Sequence, residues 1–213
     1  MSDDKDPAYP GARTGAQEVY VVYRNTVDLE KATGTSFKAS GVRGLGITGG
    51  FDFNSKADAG YNSKKRMLVL GPTLMLDVPG YLNVSLLGLW ESNSPYNAYD
   101  KVGTGRHNHE AHPMIGLNWG IPFTAGVPLS FEGYANFVAS KGKNEFGGDT
   151  KPETHIYATL MYDVSAPLGA AQNTFKLGAG YEYWKNKFGN DYTGAAGKGA
   201  FAKTPFVKAE YHF

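Results

Sequence analysis

Apolar and polar residues alternate with a period of two along most of this chain, and this pattern constrains its fold more than any other feature. The C-terminal segment shows the alternation clearly, with apolar residues on one side and polar residues on the other: Val207, Ala209, Tyr211 and Phe213 against Lys208, Glu210 and His212. Successive side chains of a β-strand point to opposite faces of a sheet, so this period predicts strands rather than helices.

The same alternation recurs in about nine segments of about ten residues or more, whereas strands in soluble sheets average about 5–6 residues. A tilted strand needs about 9–11 residues to cross a bilayer. No stretch of the sequence approaches the roughly 18 consecutive apolar residues of a membrane-spanning helix. The sequence therefore predicts an all-β protein, an antiparallel up-and-down transmembrane β-barrel in which about nine to ten strands can be recognised.

The connections between these segments alternate in length. Residues 78–81, 124–126 and 166–171 are short and turn-like, whereas residues 92–108, 141–151 and 189–199 are longer and polar. Outer-membrane barrels have short turns at one rim and long loops at the other, which supports the same prediction. The terminal Phe213 resembles the signal that the outer-membrane assembly machinery reads. We therefore expect that machinery and outer-membrane lipid as partners.

Composition excludes several functional classes. Twenty-one basic residues against 20 acidic ones leave a formal charge of +1, so no strong positive field recruits nucleic acid. The absence of cysteine excludes thiolate metal sites and cysteine nucleophiles. No nucleophile elbow, phosphate loop or dinucleotide-binding motif occurs in its required context. We therefore expect neither an enzyme nor a cofactor.

Two groups of residues are candidates for other chemistry. His107, His109, Glu110 and His112 lie close together in the sequence. Their spacing matches no zinc-enzyme motif, so we interpret them as exposed loop residues rather than metal ligands. Ser140 and His155 are the best pair for the alternative of an enzyme with catalytic residues on the barrel wall.

Four runs of the sequence carry a family resemblance: residues 65–80, 120–123, 127–134 and 180–190, the last reading GYEYWKNKFGN. These runs resemble the nucleoside-specific channel-forming (Tsx-like) outer-membrane family. The resemblance implies a monomeric twelve-stranded barrel in the outer membrane of a Gram-negative bacterium, with nucleosides as the type substrate. It also implies that N-terminal strands of the family are lacking, with residues 1–16 as an N-terminal loop or truncated segment and residues 17–213 as the β-barrel. Residues 28–40 are a candidate for one additional short strand.

In a transmembrane barrel the polar face lines the lumen, so the alternation also predicts the pore-lining residues. The predicted residues share the face opposite the apolar side chains: Tyr20, Arg24, Asp52, Glu132, Tyr134, Asn136, His155, Tyr157, Lys176, Glu182, Trp184, Lys208 and Glu210. Acidic residues outnumber basic ones among all inward candidates, which predicts weak cation selectivity. The inward aromatic rings, which also include Phe206, are able to stack on a nucleobase or another aromatic solute. The alternative is that these rings only fill a narrow lumen.

The sequence therefore favours an outer-membrane channel for passive uptake of small solutes such as nucleosides or aromatic compounds. The alternative is a non-conducting structural or adhesive outer-membrane barrel that binds through its long loops. A soluble barrel with an apolar interior is a third possibility, which the strand lengths and the sorting of the connections argue against.

Overall fold

The computed structural model describes residues 17–57, 61–97, 102–103, 105–194 and 197–212. Nearly all regular structure in these residues is β-strand, and the strand pairings among them are antiparallel. The all-β, antiparallel, barrel-like fold predicted from the alternation is therefore confirmed. The expectations for residues 1–16 and for Phe213 lie outside the described residues.

Thirteen strands are numbered in chain order: β1 (Gln17–Asp28), β2 (Val42–Ala57), β3 (Tyr61–Asn62), β4 (Arg66–Leu76), β5 (Tyr81–Asn93), β6 (Tyr96–Asn97), β7 (Val102–Gly103), β8 (His107–Asn108), β9 (His112–Thr124), β10 (Pro128–Val138), β11 (Glu153–Asp163), β12 (Phe175–Lys185) and β13 (Phe201–Tyr211). Nine of them have 11 residues or more and build the wall of the protein. The other four are two-residue strands within the connections.

The nine long strands form one curled sheet in the order β1-β2-β4-β5-β9-β10-β11-β12-β13. Each strand pairs with the next along most of its length, so that Phe51 lies opposite Leu68 and Leu68 opposite Trp90. The sheet curls into a half-barrel with β1 and β13 as its two edges, and no pairing joins these edges in the described part of the chain.

The connections sort by length between the two rims of the sheet. One rim, called the short-turn rim, carries residues 77–80 and 125–127 and a 3₁₀ turn at Ala166–Leu168. The opposite rim, called the long-loop rim, carries the connections over residues 94–111, 139–152 and 186–200. This arrangement agrees with the sorting expected from the sequence.

The connection between β1 and β2 is longer than the others at the short-turn rim because it contains a helix. Helix α1 (Leu29–Thr33) begins where the side chain of Asp28 accepts hydrogen bonds from two backbone N–H groups. It ends at Gly34, whose left-handed conformation (φ 72°) suits glycine. The additional strand suggested for residues 28–40 is therefore wrong. None of the described helices is long and apolar enough to cross a membrane.

Side chains of the wall alternate between a convex outer face and a concave inner face. Leu68 is 63% exposed and Val207 is 89% exposed on the outer face, whereas Asp52 and Thr73 are buried on the inner face. The register of β2 shifts between Val42 and Gly44. Because this irregularity precedes the residues of β2 that were predicted to face inward, it leaves their orientation unchanged.

One part of the inner face is apolar. Met67 and Val69 of β4, Leu87 and Leu89 of β5, and Met114 of β9 form a buried group called the inner apolar cluster. The alternation did not predict this cluster, because β4 and β5 carry apolar residues on both faces. The cluster fills the side of the concave face that β4, β5 and β9 contribute.

Candidate functional site

The concave face borders a cavity of about 580 Å³. Its lining comes from β1, β2, β4, β5 and β9–β12 and from connections at the long-loop rim. His112 and Asn118 both line the cavity and lie six residues apart on β9, which corresponds to about 20 Å along a strand. The cavity therefore extends along much of the height of the wall.

The residues predicted to line a pore lie along this concave face. Seven of them line the cavity: Tyr20, Arg24, Asp52, Tyr134, Asn136, His155 and Trp184. The other six lie on the same face of β10–β13: Glu132, Tyr157, Lys176, Glu182, Lys208 and Glu210. The structure thus brings together residues from strands that are distant in the sequence.

Six rings form a continuous series on this face, called the aromatic row: Phe206, Tyr157, Tyr134, His155, Trp184 and Phe188. In that order, neighbouring ring centroids lie 4.8, 5.4, 5.1, 4.0 and 5.1 Å apart. Four of these spacings are typical of favourable stacked and edge-to-face pairs, and His155 and Trp184 stack more closely. The row runs from the middle of β13 to the long-loop rim and presents aromatic surface along that path.

Phe188 completes the row from a connection rather than from a strand, so the period of two could not predict its position. Its backbone lies in the left-handed region (φ 58°, ψ 24°), which a bulky residue rarely adopts. The ring contacts Trp184, and the Nζ atom of Lys65 lies 5.6 Å from its centroid. Strained residues of this kind concentrate at ligand-binding and other functional sites.

Polar groups fix the orientation of the rings in the aromatic row. The indole N–H of Trp184 donates to Oε1 of Glu153 at 2.6 Å. The Nε2 atom of His155 lies 2.9 Å from Oε1 of Glu182 and 3.3 Å from the hydroxyl oxygen of Tyr134. These contacts hold the rings in fixed positions, which lowers the entropic cost of stacking a solute on them.

Most charged residues of the inner face are engaged in ion pairs. Lys176 contacts Glu132 at 2.8 Å, and Lys208 contacts Glu210 at 2.5 Å. Arg24 contacts Asp52 at 2.5 Å, and the hydroxyl of Tyr20 also donates to Asp52. These pairs place the basic groups of the inner face directly against carboxylates and leave its net charge unchanged.

A charge cluster closes one side of the cavity at the long-loop rim. Oε1 of Glu91 lies 2.7 Å from Nζ of Lys141, 3.7 Å from Nζ of Lys65 and 3.9 Å from Nε2 of His109. Lys141 follows the end of β10, where the alternation no longer assigns a face, so sequence reasoning missed its role. Burial and the neighbouring Lys141 ammonium lower the pKa of His109 below its usual value.

Hydroxyl groups form a chain of hydrogen bonds nearer the short-turn rim. The Oγ1 atoms of Thr26 and Thr48 lie 2.7 Å apart, and those of Thr48 and Thr73 lie 2.5 Å apart. Thr73 in turn lies 2.8 Å from the hydroxyl of Ser85. The carbonyl oxygen of the Asn83 side chain is buried close to this chain and has no hydrogen-bond partner in the described residues. It is available to accept a hydrogen bond inside the cavity.

The histidine segment is held by backbone contacts, and the expectation that its residues are exposed in a loop is wrong for His112, which is buried in β9, and for the side chain of His109, which is 3% exposed. Ring nitrogens of His107 and His109 both contact the carbonyl oxygen of Lys143, at 2.8 and 3.2 Å. No group of three or more His, Cys, Asp or Glu residues with metal-binding geometry occurs in the described ranges. Among the catalytic candidates, the Ser140 hydroxyl donates to the carbonyl oxygen of Thr150, whereas His155 contacts Glu182.

Comparisons of this chain with models of protein families, with curated proteins and with solved structures find no match. The geometry of the concave face and the character of the outer face are therefore the basis for assigning a function.

Proposed function

We propose that this protein is an outer-membrane β-barrel channel for passive, diffusion-driven uptake of small solutes, with aromatic compounds and nucleosides as its substrates. The observation that carries the proposal is the sorting of charge between the two faces of the sheet. On the outer face of the nine long strands, the charged residues are Arg66, Lys185 and Lys203, together with Arg43 at the irregularity of β2.

This distribution of charge matches a lipid environment. The first three of these residues lie close to the long-loop rim, and Arg43 lies near the short-turn rim. The outer face between the rims carries exposed apolar side chains such as Leu70, Phe131, Leu160, Leu177 and Val207. A charged residue on the lipid-facing side of a barrel is costly near the middle of the bilayer and costs little near the interfaces. An apolar band with charges only at its rims is therefore what a membrane-spanning wall requires.

The interior supports the choice of solute. The aromatic row offers stacking surface, and the carboxylates and amides around it offer hydrogen-bond partners for the polar edges of a ring system. Nucleosides enter the proposal because they combine such a ring with polar groups, and because residues 180–190 and the other three runs resemble the Tsx-like family. In this proposal the protein acts as a monomer in the outer membrane of a Gram-negative bacterium and reaches it through the assembly machinery.

A non-conducting structural barrel is the second candidate. The inner apolar cluster favours it, because Met67, Val69, Leu87, Leu89 and Met114 occupy part of the interior. A solute has to pass beside this cluster, along the side of the concave face that carries the aromatic row.

Single-channel recording distinguishes the two candidates. The detergent-refolded chain is incorporated into a planar bilayer in a salt gradient, and current is recorded with and without a nucleoside. We expect discrete conductance steps with weak cation selectivity and block by the nucleoside. Flotation with vesicles shows independently whether the protein inserts. Inserted protein that carries no current would overturn the channel proposal and favour the structural barrel.

A further inference from the structure

A second cleft lies on the outer face, outside the cavity described above. It has a volume of about 420 Å³ and lies between β2, β4 and β5 near the long-loop rim. Its outer-face apolar lining consists of Phe51 and Phe53 of β2, Leu68 of β4 and Trp90 of β5, and it is also bordered by Asp52 and Met67, which belong to the inner face. Trp90 is half exposed, and its ring lies along the strand over Gly88, where an added Cβ atom would come within 3.0 Å of it. The cleft is therefore a groove with an aromatic and aliphatic floor.

Two arginines lie at the end of this groove that is next to the long-loop rim. Arg66 lines the cleft and lies directly opposite Ser92 in the pairing of β4 with β5. Nη1 of Arg106 donates to the hydroxyl of Ser92 at 2.8 Å. Both arginine side chains are exposed, and within the described ranges neither forms an ion pair with a carboxylate. An anion bound beside Ser92 would be attracted by both positive charges.

The polarity of the groove changes along its length in the same direction as that of a lipid molecule. Arg66 lies at the long-loop rim, level with Phe53 in the pairing of β2 with β4, whereas Phe51, Leu68 and Trp90 lie level with one another two residues farther from that rim. Arginine binds phosphate through two parallel N–H bonds, which makes it well suited to a phosphate head group.

We propose that this groove binds a phosphate-bearing lipid of the outer leaflet, with an acyl chain along Trp90, Leu68 and Phe51 and the phosphate between Arg66 and Arg106. The inference rests on the membrane location in the proposed function but not on conduction. The lipid would neutralise the two arginines and cover the groove, which would anchor this side of the wall at a fixed depth in the bilayer.

Quenching of Trp90 fluorescence by brominated acyl chains tests the proposal. Trp119→Phe and Trp184→Phe leave Trp90 as the tryptophan of the chain, and the protein is placed in phosphatidylcholine vesicles. Brominated phosphatidic acid, which carries a phosphate monoester, is compared with brominated phosphatidylcholine at the same mole fraction. We expect a preference of at least about tenfold for phosphatidic acid at Trp90, since charge-assisted hydrogen bonds are strong.

Two variants identify the groups responsible. Arg66→Gln combined with Arg106→Gln should abolish the preference, whereas Lys203→Gln, which removes an outer-face charge at the same rim on β13, should leave it unchanged. Inorganic phosphate at the same concentration should not compete, because it lacks the acyl chain.

The possible results separate the two proposals. Equal quenching by both lipids, a preference that survives in the double arginine variant, or full competition by inorganic phosphate would overturn the lipid site while leaving the membrane location intact. Absence of quenching by either lipid would show that Trp90 does not face lipid, and it would overturn the membrane location as well.

Discussion

The substitution Glu91→Gln is expected to destabilise the fold strongly, because it leaves two buried ammonium groups without the carboxylate they share. Nζ of Lys141 lies 2.7 Å and Nζ of Lys65 lies 3.7 Å from Oε1 of Glu91. The exposed fractions of the three side chains are 8% for Lys141, 14% for Lys65 and 6% for Glu91. Water therefore replaces the lost carboxylate poorly.

The size of the effect follows from this burial. Removing one partner of a buried ion pair costs about 3–5 kcal/mol. We expect a loss of this size in the free energy of unfolding, measured by urea denaturation of the protein in detergent micelles. Combining Glu91→Leu with Lys141→Met should recover part of the loss, because replacing both partners by apolar residues leaves fewer unpaired charges.

The connection over residues 139–152, which contains Lys141, also provides a matched control. Lys143 and Asp149 form an ion pair at 2.6 Å, but their side chains are 60% and 74% exposed. Exposed pairs contribute little to stability, so Asp149→Asn should leave the unfolding curve unchanged. If Glu91→Gln cost no more than Asp149→Asn, the conclusion that Glu91 holds two buried lysines would be refuted.

Three further predictions concern the solute path, the sheet and the loop rim. Trp184→Ala should weaken nucleoside block by about tenfold, since stacking on an aromatic ring contributes about 1–3 kcal/mol per base. The control Tyr181→Ala, on the outer face of the same strand, should not change the block. Equal block in both variants would exclude the aromatic row from nucleoside binding. Gly50→Ala should lower the free energy of unfolding in urea by about 1–3 kcal/mol, because the added Cβ would collide with a carbonyl oxygen of β1. Gly49→Ala should be tolerated, because its Cβ would meet its nearest neighbour at 3.7 Å. Because the pKa of His109 is lowered in the folded protein, the unfolded chain binds a proton more readily, and the stability of the fold should decrease as the pH drops below about 6.5. In thermal unfolding, His109→Gln should show a smaller decrease over the same pH range. An identical pH profile for the variant and the original chain would contradict this reasoning.

The fold could be predicted from the sequence because the property that builds it is local. A period of two fixes which face each side chain takes, and the length of the alternating segments fixes the height of the wall. The connection after β1 could not be predicted in the same way. Residues 28–40 are polar and short enough for either a strand or a helix, and the capping contacts of Asp28 decide in favour of α1.

The candidate site was predictable only where it lies on strands. Tyr134, His155 and Trp184 follow from the alternation, since each is at an inward position of a regular strand. Lys141 and Phe188 lie in connections, where no repeating geometry relates sequence position to direction. Their places in the charge cluster and the aromatic row depend on tertiary contacts that the sequence does not display.

The two edge strands of the curled sheet run in the same direction, because neighbouring strands are antiparallel and the sheet has nine long strands. Both β1 and β13 run from the long-loop rim to the short-turn rim. Joining these edges directly would require a parallel ladder, with its slanted hydrogen bonds, in a wall that is otherwise antiparallel. One inserted strand of opposite direction would instead match both edges with antiparallel bonds. A fully antiparallel ring built on this wall therefore requires an odd number of added strands.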